Sequence, residues 1–446
     1  MADELGLQFK YYQIRALGGV LRDVFVVDPV QRSRATKGFD GSYKWLMAAN
    51  EEPDRKQRRE ISGQTSRAID CRGYVLEGRT VLLQSASSSL AGTKLVSPSC
   101  GEWPGKDSDW MEKICSSGPA QILFEEGTVM DVALQQCLHQ RRVVAVNAAS
   151  AYHVGGGFST GGRHALEESM CIQSSLYPSL VRGQELAEAA NVQPRPGLPR
   201  RRDNRPWQCH LPGDGALLTP SVEVFRGGTL DGYPFLDAAL TLEGVVSVAM
   251  PNRNPSMSDS PADAPADPVE YLEALKARWR AVLVATLAFT SADCLVVPDA
   301  GCGVFQNEPE AVGAALGEVL RSLAGALPNI VVASPSPKGK RFFQAAKDVL
   351  SGDQKLLESL QQQNPHVRQP ESRDRASASN HTKASSAGAV TWCFETGSGF
   401  KPFDADCQAD LERGYASFQA GGPVQIWVAV GGRRIRINFE KMTQMN

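Results

Sequence analysis

Between residues 55 and 350, short apolar runs rich in β-branched residues alternate with segments whose apolar residues recur at helical spacing. That alternation restricts the chain to a layered α/β fold. The runs "RTVLLQ", "RRVVAVNAAS", "GVVSVAM" and "ADCLVVPDAG" read as strands that are apolar on consecutive residues. Such continuity belongs to strands buried on both faces, which are mostly parallel. The segments "TVMDVALQQCLHQ", "PVEYLEALKARWRAVLVATLAFT" and "EPEAVGAALGEVLRSLAGAL" supply the intervening helices.

Around this core the texture changes. Residues 1–50 carry mixed apolar and basic character and no motif. A Pro- and Arg-rich stretch at 185–215 reads as a surface excursion. From 351 to 388 large apolar residues nearly vanish, and a segment that buries so little surface does not offset its ordering entropy, so it reads as a flexible linker. Alternating apolar runs return at 389–446, in "AVTWCFETGSGFKPFD", "QIWVAV" and "RIRINF", around one helical segment, which predicts a small α+β domain.

The ten cysteines are scattered and none forms a C-x-x-C pair, which argues against a zinc ribbon or a disulfide framework. With a net charge of -2, no general attraction to nucleic acid or to an anionic membrane is built in. No run reaches the roughly 20 apolar residues of a membrane span, and "MADELGLQFKYY" lacks an apolar stretch of signal-peptide length. These features predict a soluble nuclear or cytoplasmic protein.

The segment "VNAASAYHVGGGFSTGGRHALEES" (146–169) follows one of the strands and places five glycines just before the adjacent acids Glu167 and Glu168. The Gly157–Gly161 match to G-x-S-x-G lacks the serine placed directly on the turn leaving a strand that a nucleophile elbow requires. A dinucleotide fingerprint wants G-x-G-x-x-G with an acid about 20 residues on, and here a consecutive triplet is followed sooner by its acids. No Gly-Lys-Ser/Thr follows, so a P-loop is excluded. The bland reading is a surface turn. The chemical one is a backbone able to approach a diphosphate or ribose closely, beside a helix that brings one carboxylate to the ligand. Adjacent helical residues do not share a face, so the two acids take different roles. Cleaving a glycosidic bond needs an acid to protonate the leaving oxygen, and a carboxyl that is partly buried beside another has its pKa raised toward that task.

This block resembles the signature of the bacterial-type (microbial) poly(ADP-ribose) glycohydrolases, GGG followed after a short spacer by Gln-Glu-Glu. "SVEVFR", "VSVAMPN" and "DCLVVPDAGCGVFQNEPEAVGAAL" are similar to later parts of that family, and "RREISGQTSRAID" and "GTVMDVALQQCL" to its N-terminal part. The resemblance implies a three-layer α/β/α macro-domain-like mixed sheet over 51–350. It implies hydrolysis of the ribose–ribose O-glycosidic bonds of poly(ADP-ribose), releasing ADP-ribose with no metal and no cofactor. By the same resemblance Glu168 is the catalytic acid and Glu167 the carboxylate that holds ribose hydroxyls. Gly155, Gly156 and Gly157, with Phe158 beside them, wrap the diphosphate and the scissile ribose, and Asn147 and Ser150 line the ribose pocket. Gly301, Cys302, Gly303, Val304 and Phe305 form a second phosphate-binding loop, with Phe305 packing on the terminal ribose. One departure stands out: Leu166 replaces the family's glutamine, removing an amide next to the acids. An ADP-ribose reader without turnover and a mono-ADP-ribosyl hydrolase remain alternatives.

Residues 389–446 resemble a WWE domain, a module that recognises the iso-ADP-ribose unit of the polymer. Trp392, Glu412 and Gln444 stand at pattern positions, and Phe400 replaces the second tryptophan. The resemblance makes Phe403, Arg434, Arg436 and Gln444 candidates for polymer contact, although Ile435 stands where ligand-binding members tend to carry an aromatic. The implied partners are poly(ADP-ribose) and poly(ADP-ribosyl)ated proteins, with neither nucleic acid nor membrane bound directly.

Overall fold

The computed structural model describes residues 12–15, 21–26, 55–105, 121–162, 165–201, 203–323, 327, 329–353, 355–362, 393–396, 399–402, 405–419, 425–430, 433–438 and 443–445. The chain divides into two compact units, Met1–Val367 and Arg368–Asn446.

In the first unit, β1 (Tyr12–Arg15), β2 (Leu21–Val26), β3 (Gly73–Leu76) and β4 (Arg79–Leu82) form a four-stranded sheet in that order. Residues 12–15 and 21–26, within the stretch read from sequence as an N-terminal extension, join this sheet, β2 pairing with β3. The central sheet comprises β5 (Lys94–Val96), β6 (Gln121–Glu125), β7 (Val143–Ala148) and β8 (Ala216–Pro220). After the separate ladder of β9 (Glu223–Arg226) and β10 (Phe235–Thr241) it continues with β11 (Gly244–Val248), β12 (Cys294–Val297) and β13 (Asn329–Ala333). Its order is β5-β8-β11-β7-β12-β13-β6. The strand β8 alone runs against the rest, pairing antiparallel with β5 and β11, while the pairs from β11 to β6 are parallel.

Strand alternation explains the unbroken apolar runs. Val144 and Val146 of β7 join one core with Val246, Val248, Leu295 and Val297, while Val143 and Ala145 join the other with Val245, Cys294 and Val296. Helices Pro268–Phe289, Pro309–Leu323 and Pro337–Leu350 cover the first face, and Val129–Leu138, Leu166–Gln173 and Tyr177–Ala189 cover the second. Each fully buried valine or leucine contributes about 1.5–3 kcal/mol to such a core. The result is the three-layer mixed sheet expected from the sequence.

Two sequence readings differ from the structure. "RTVLLQ" is not a buried parallel strand: β4 pairs antiparallel with β3 outside the central sheet, with Val81 buried and Leu82 exposed. Only one of its faces is covered, by a small core containing Tyr74, Phe225 and Phe235. The stretch read as a linker opens with a helix, Lys355–Gln362, whose Leu356, Leu357 and Leu360 pack on the first core. The rest of that stretch, from 363, lies outside the described residues.

The second unit pairs β14 (Cys393–Thr396) with β15 (Gly399–Pro402), followed by the helix Ala405–Gln419. An antiparallel sheet of β16 (Gln425–Val430), β17 (Arg433–Asn438) and β18 (Thr443–Met445) follows. Cys407, Leu411, Val428 and Ile437 are buried. This is the α+β arrangement read from the sequence.

Candidate active site

The carboxyl ends of the adjacent strands β11, β7 and β12 open into one cleft, the place where parallel α/β sheets usually hold ligands. The loop after β7 and the first turn of helix Leu166–Gln173 give one wall, including Ser150, Gly156, Leu166, Glu167 and Glu168. The loop after β12 gives the other, with Gly301, Gly303, Val304 and Phe305. Met257, Asp259 and Ser260, from the loop after β11, complete the lining.

Both acids are buried, at 4% exposure for Glu167 and 6% for Glu168, and every carboxylate oxygen accepts a backbone N–H. Glu167 accepts from Ser150 (3.0 Å) and Gly155 (3.2 Å). Glu168 accepts from Gly157 (2.7 Å) and Ala165 (3.1 Å). The Ala165 contact is the carboxylate half of a capping box; alanine has no side-chain oxygen for the other half. Burial pushes the Glu167 carboxyl well above its ordinary value of 4.5. The amides of Ser150 and Gly155 and the carboxamide of Asn147 oppose that rise, and the charge of Glu168 adds to it.

The first glycine loop uses its own amides. Gly155 donates to Glu167, Gly156 to the His153 carbonyl (3.0 Å) and Gly157 to Glu168, so all three N–H groups of the triplet already have protein acceptors. Gly156 has φ +54°, and a Cβ there would stand 2.3 Å from Oε1 of Glu168; the glycine is required because the carboxylate lies against its backbone.

The second loop is the reverse. Among the described residues, no acceptor engages the amides of Gly303, Val304 or Phe305. Its shape is fixed instead from outside. Asn307 donates through Nδ2 to the carbonyls of Pro251 (2.9 Å) and Gly301 (3.0 Å), and Asn254 Nδ2 donates to the Val304 carbonyl (2.9 Å). Lys338 Nζ donates to the Cys302 carbonyl (2.7 Å). These consecutive unengaged amides precede helix Pro309–Leu323.

Two residues read from the sequence as ligand-lining, Phe158 and Cys302, have side chains directed into the cores. Phe158 is buried in the second core, its ring 4.5 Å from that of Tyr177, because the short 3-10 turn Phe158–Thr160 rolls it inward. Cys302 is buried in the first core, where burial raises its thiol pKa. Asn147 lies within the sheet beneath the cleft, donating to Ser247 Oγ (3.1 Å) on β11, its register partner. Ser150 reaches the cleft, and its hydroxyl lies 3.3 Å from that of Ser260.

The sequence reading missed His153, Asp259, Ser260 and Asp299, all of which line the cleft. His153 and Asp299 sit inside or just before the glycine loops, where proximity was a usable signal; Asp259 and Ser260 carry none, lying in a Pro- and Ser-rich connection. Burial raises the Asp299 carboxyl above its ordinary value, while hydrogen bonds from Ser334 and Ser336 and the charge of Lys338 oppose it. Among the described residues no group of three or more His, Cys, Asp or Glu side chains is placed to hold a metal ion. No helix among them is long and apolar enough to cross a membrane.

In the second unit Phe403 lies outside the described residues, as does Trp392. In the backbone register Arg434 pairs with Ala429, Arg436 with Trp427 and Met445, and Gln444 with Ile437.

Residues 62–227 match the family model of the microbial-type PARG catalytic domain, and residues 390–446 match that of the WWE domain. The structure is similar to that of poly(ADP-ribose) glycohydrolase from Thermomonospora curvata, at 23% identity and a TM-score of 0.50, over 65% of this chain and 99% of that one. It is also similar to the poly(ADP-ribose) glycohydrolase from Deinococcus radiodurans in complex with ADP-ribose, at 25% identity and a TM-score of 0.45, over 60% of this chain and 100% of that one. No curated protein matches the sequence. The chain thus carries a catalytic domain of the poly(ADP-ribose) glycohydrolase type and a C-terminal WWE domain.

Proposed function

We propose that this chain, with its microbial-type PARG catalytic domain, hydrolyses the ribose–ribose O-glycosidic bonds of poly(ADP-ribose) and releases ADP-ribose, with Glu168 as general acid. The observation that carries the assignment is the seating of Glu168: buried in the cleft wall, fixed through both oxygens and pressed against the glycine at 156. In the forward step the protonated Glu168 gives its proton to the leaving ribose oxygen as the glycosidic C–O bond breaks. A water then adds to the anomeric carbon and returns a proton to the Glu168 carboxylate, so the acid is regenerated.

Glu167, locked by Ser150 and Gly155, serves as the carboxylate that accepts ribose hydroxyls. The diphosphate belongs to the second loop, whose amides at Gly303, Val304 and Phe305 are unengaged. The triplet at 155–157 instead shapes the acid and lets the scissile ribose approach a backbone without side chains. The WWE domain holds the polymer and raises its effective concentration at the cleft.

The test is incubation of the full chain with poly(ADP-ribose) and, in parallel, with a mono-ADP-ribosylated protein, followed by chromatography of the products. Free ADP-ribose from the polymer, abolished in Glu168→Gln, is the expected result. No release by the wild type, or a Glu168→Gln variant as active as wild type, refutes the assignment. Release from the mono-modified protein alone refutes the polymer as substrate.

A further inference from the structure

We infer that Arg58, on helix Arg55–Asp70 and upstream of the residues that match the catalytic-domain model, is a positioning residue for Glu168. Its Nη2 donates to the carbonyls of Gly161 (3.1 Å) and Gly162 (2.8 Å). The Gly162 amide in turn donates to the Gly157 carbonyl (2.9 Å), and the Gly157 amide donates to Oε1 of Glu168 (2.7 Å). One guanidinium is thereby linked to the acid through two glycines and no other side chain.

The docking is close. Gly161 has φ +63°, and a Cβ on it would lie 2.2 Å from the Arg55 carbonyl and 2.9 Å from the Arg59 amide, so the helix backbone rests directly on the turn. Farther along, Thr65 Oγ1 donates to the Ile172 carbonyl (2.9 Å) at the other end of the helix that bears the acids. The same helix therefore holds both partners of the Gly157–Glu168 hydrogen bond, the loop through Arg58 and the acid's helix through Thr65. Two carbonyls converging on one nitrogen lie in a part-buried place and need a cation or a pair of donors there. Without it the turn relaxes and Gly157 moves relative to Glu168. Because the second loop does not touch this linkage, binding of ADP-ribose is not at stake.

This inference rests on Glu168 being the acid, and the experiment separates the two. The full chain and its Arg58→Ala, Arg58→Lys and Glu168→Gln variants are compared for kcat and KM on poly(ADP-ribose), for ADP-ribose affinity by calorimetry and for thermal unfolding. Arg58→Ala is expected to lose about tenfold to a hundredfold in kcat, the scale of a small misplacement of a reacting group. KM and ADP-ribose affinity stay within about twofold, Arg58→Lys falls between the two, and added guanidinium ion partly restores Arg58→Ala. A wild-type kcat in Arg58→Ala beside an inactive Glu168→Gln overturns the inference alone. So does a kcat loss that parallels lost ADP-ribose affinity, or one that guanidinium leaves unchanged. An active Glu168→Gln overturns the parent assignment instead. If Arg58→Ala does not fold, Arg58→Lys decides: an unchanged kcat overturns the inference, and a reduced kcat with unchanged KM supports it.

Discussion

The Gly157 amide and the Glu168 carboxylate meet at 2.7 Å, so the last glycine of the triplet donates to the acid and not to a ligand. Gly156 beside it supplies the room: its backbone lies where any side chain would strike the carboxylate. Gly156→Ala is therefore expected to displace Glu168 while also straining a left-handed backbone, at about 1–3 kcal/mol of stability. Polymer turnover should fall at least tenfold, on the scale of a misplaced reacting group, measured with a thermal melt on the same sample. Retention of both turnover and melting temperature contradicts the described packing.

Glu168→Gln keeps the shape but removes the transferable proton, and its one amide oxygen can accept from only one of Gly157 and Ala165. Turnover of poly(ADP-ribose) is expected to fall by about 10²–10⁴-fold, the range for loss of a general acid. ADP-ribose affinity by calorimetry should change little.

Burial raises the Glu167 carboxyl above 4.5, so the folded protein holds that proton where the unfolded chain has already released it. The sign follows: as pH rises from 4.5 through the raised folded value, the unfolded state is favoured and stability is lost. Glu167→Gln has no charge to bury. Its advantage in melting temperature over wild type should grow as pH rises above 4.5 and vanish below it; a gap independent of pH refutes the raised carboxyl.

Leu166 is half-buried and lines the cleft on the turn that carries both acids. Leu166→Gln restores a hydrogen-bonding amide there, an interaction worth about 1 kcal/mol. A rise in kcat/KM of about fivefold is expected, since each 1.4 kcal/mol corresponds to about tenfold. An unchanged or lower kcat/KM shows that leucine suits this cleft.

In the second unit, Arg434→Ala with Arg436→Ala, placed on the inactive Glu168→Gln chain, should weaken binding to poly(ADP-ribose). The slope of affinity against salt should also flatten, because fewer polymer phosphates are neutralised. Filter binding across a salt series measures both, and an unchanged slope excludes these arginines from the contact.

The parts of the site legible in the sequence were those encoded by local pattern. The valine run ending at Asn147, the glycine triplet and the neighbouring acids announce strand, loop and helix by composition and spacing. What stayed hidden depends on contacts far along the chain. Phe158, rolled inward by its 3-10 turn, packs on Tyr177 beyond the helix that carries the acids, a contact that its own neighbours in the sequence do not report. Hydrogen-bond engagement was equally invisible: two glycine loops look alike as text, yet one uses its amides on Glu167 and Glu168 while the other leaves three unengaged. Arg58 reads as one more charge on an exposed helix until Gly161 and Gly162 fold beneath it.

The order of β11, β7 and β12 at the sheet centre has a consequence for how the enzyme is made. The acids leave the ribosome long before Phe305, yet the wall facing them does not exist until β12 has paired with β7. A nascent or prematurely terminated chain that ends after Glu168 but before β12 carries both glutamates and no cleft. The residues that match the catalytic-domain model end at 227, so a fragment cut to that length would include the acids without the wall opposite them. The topology thus couples the appearance of hydrolytic competence to completion of the sheet.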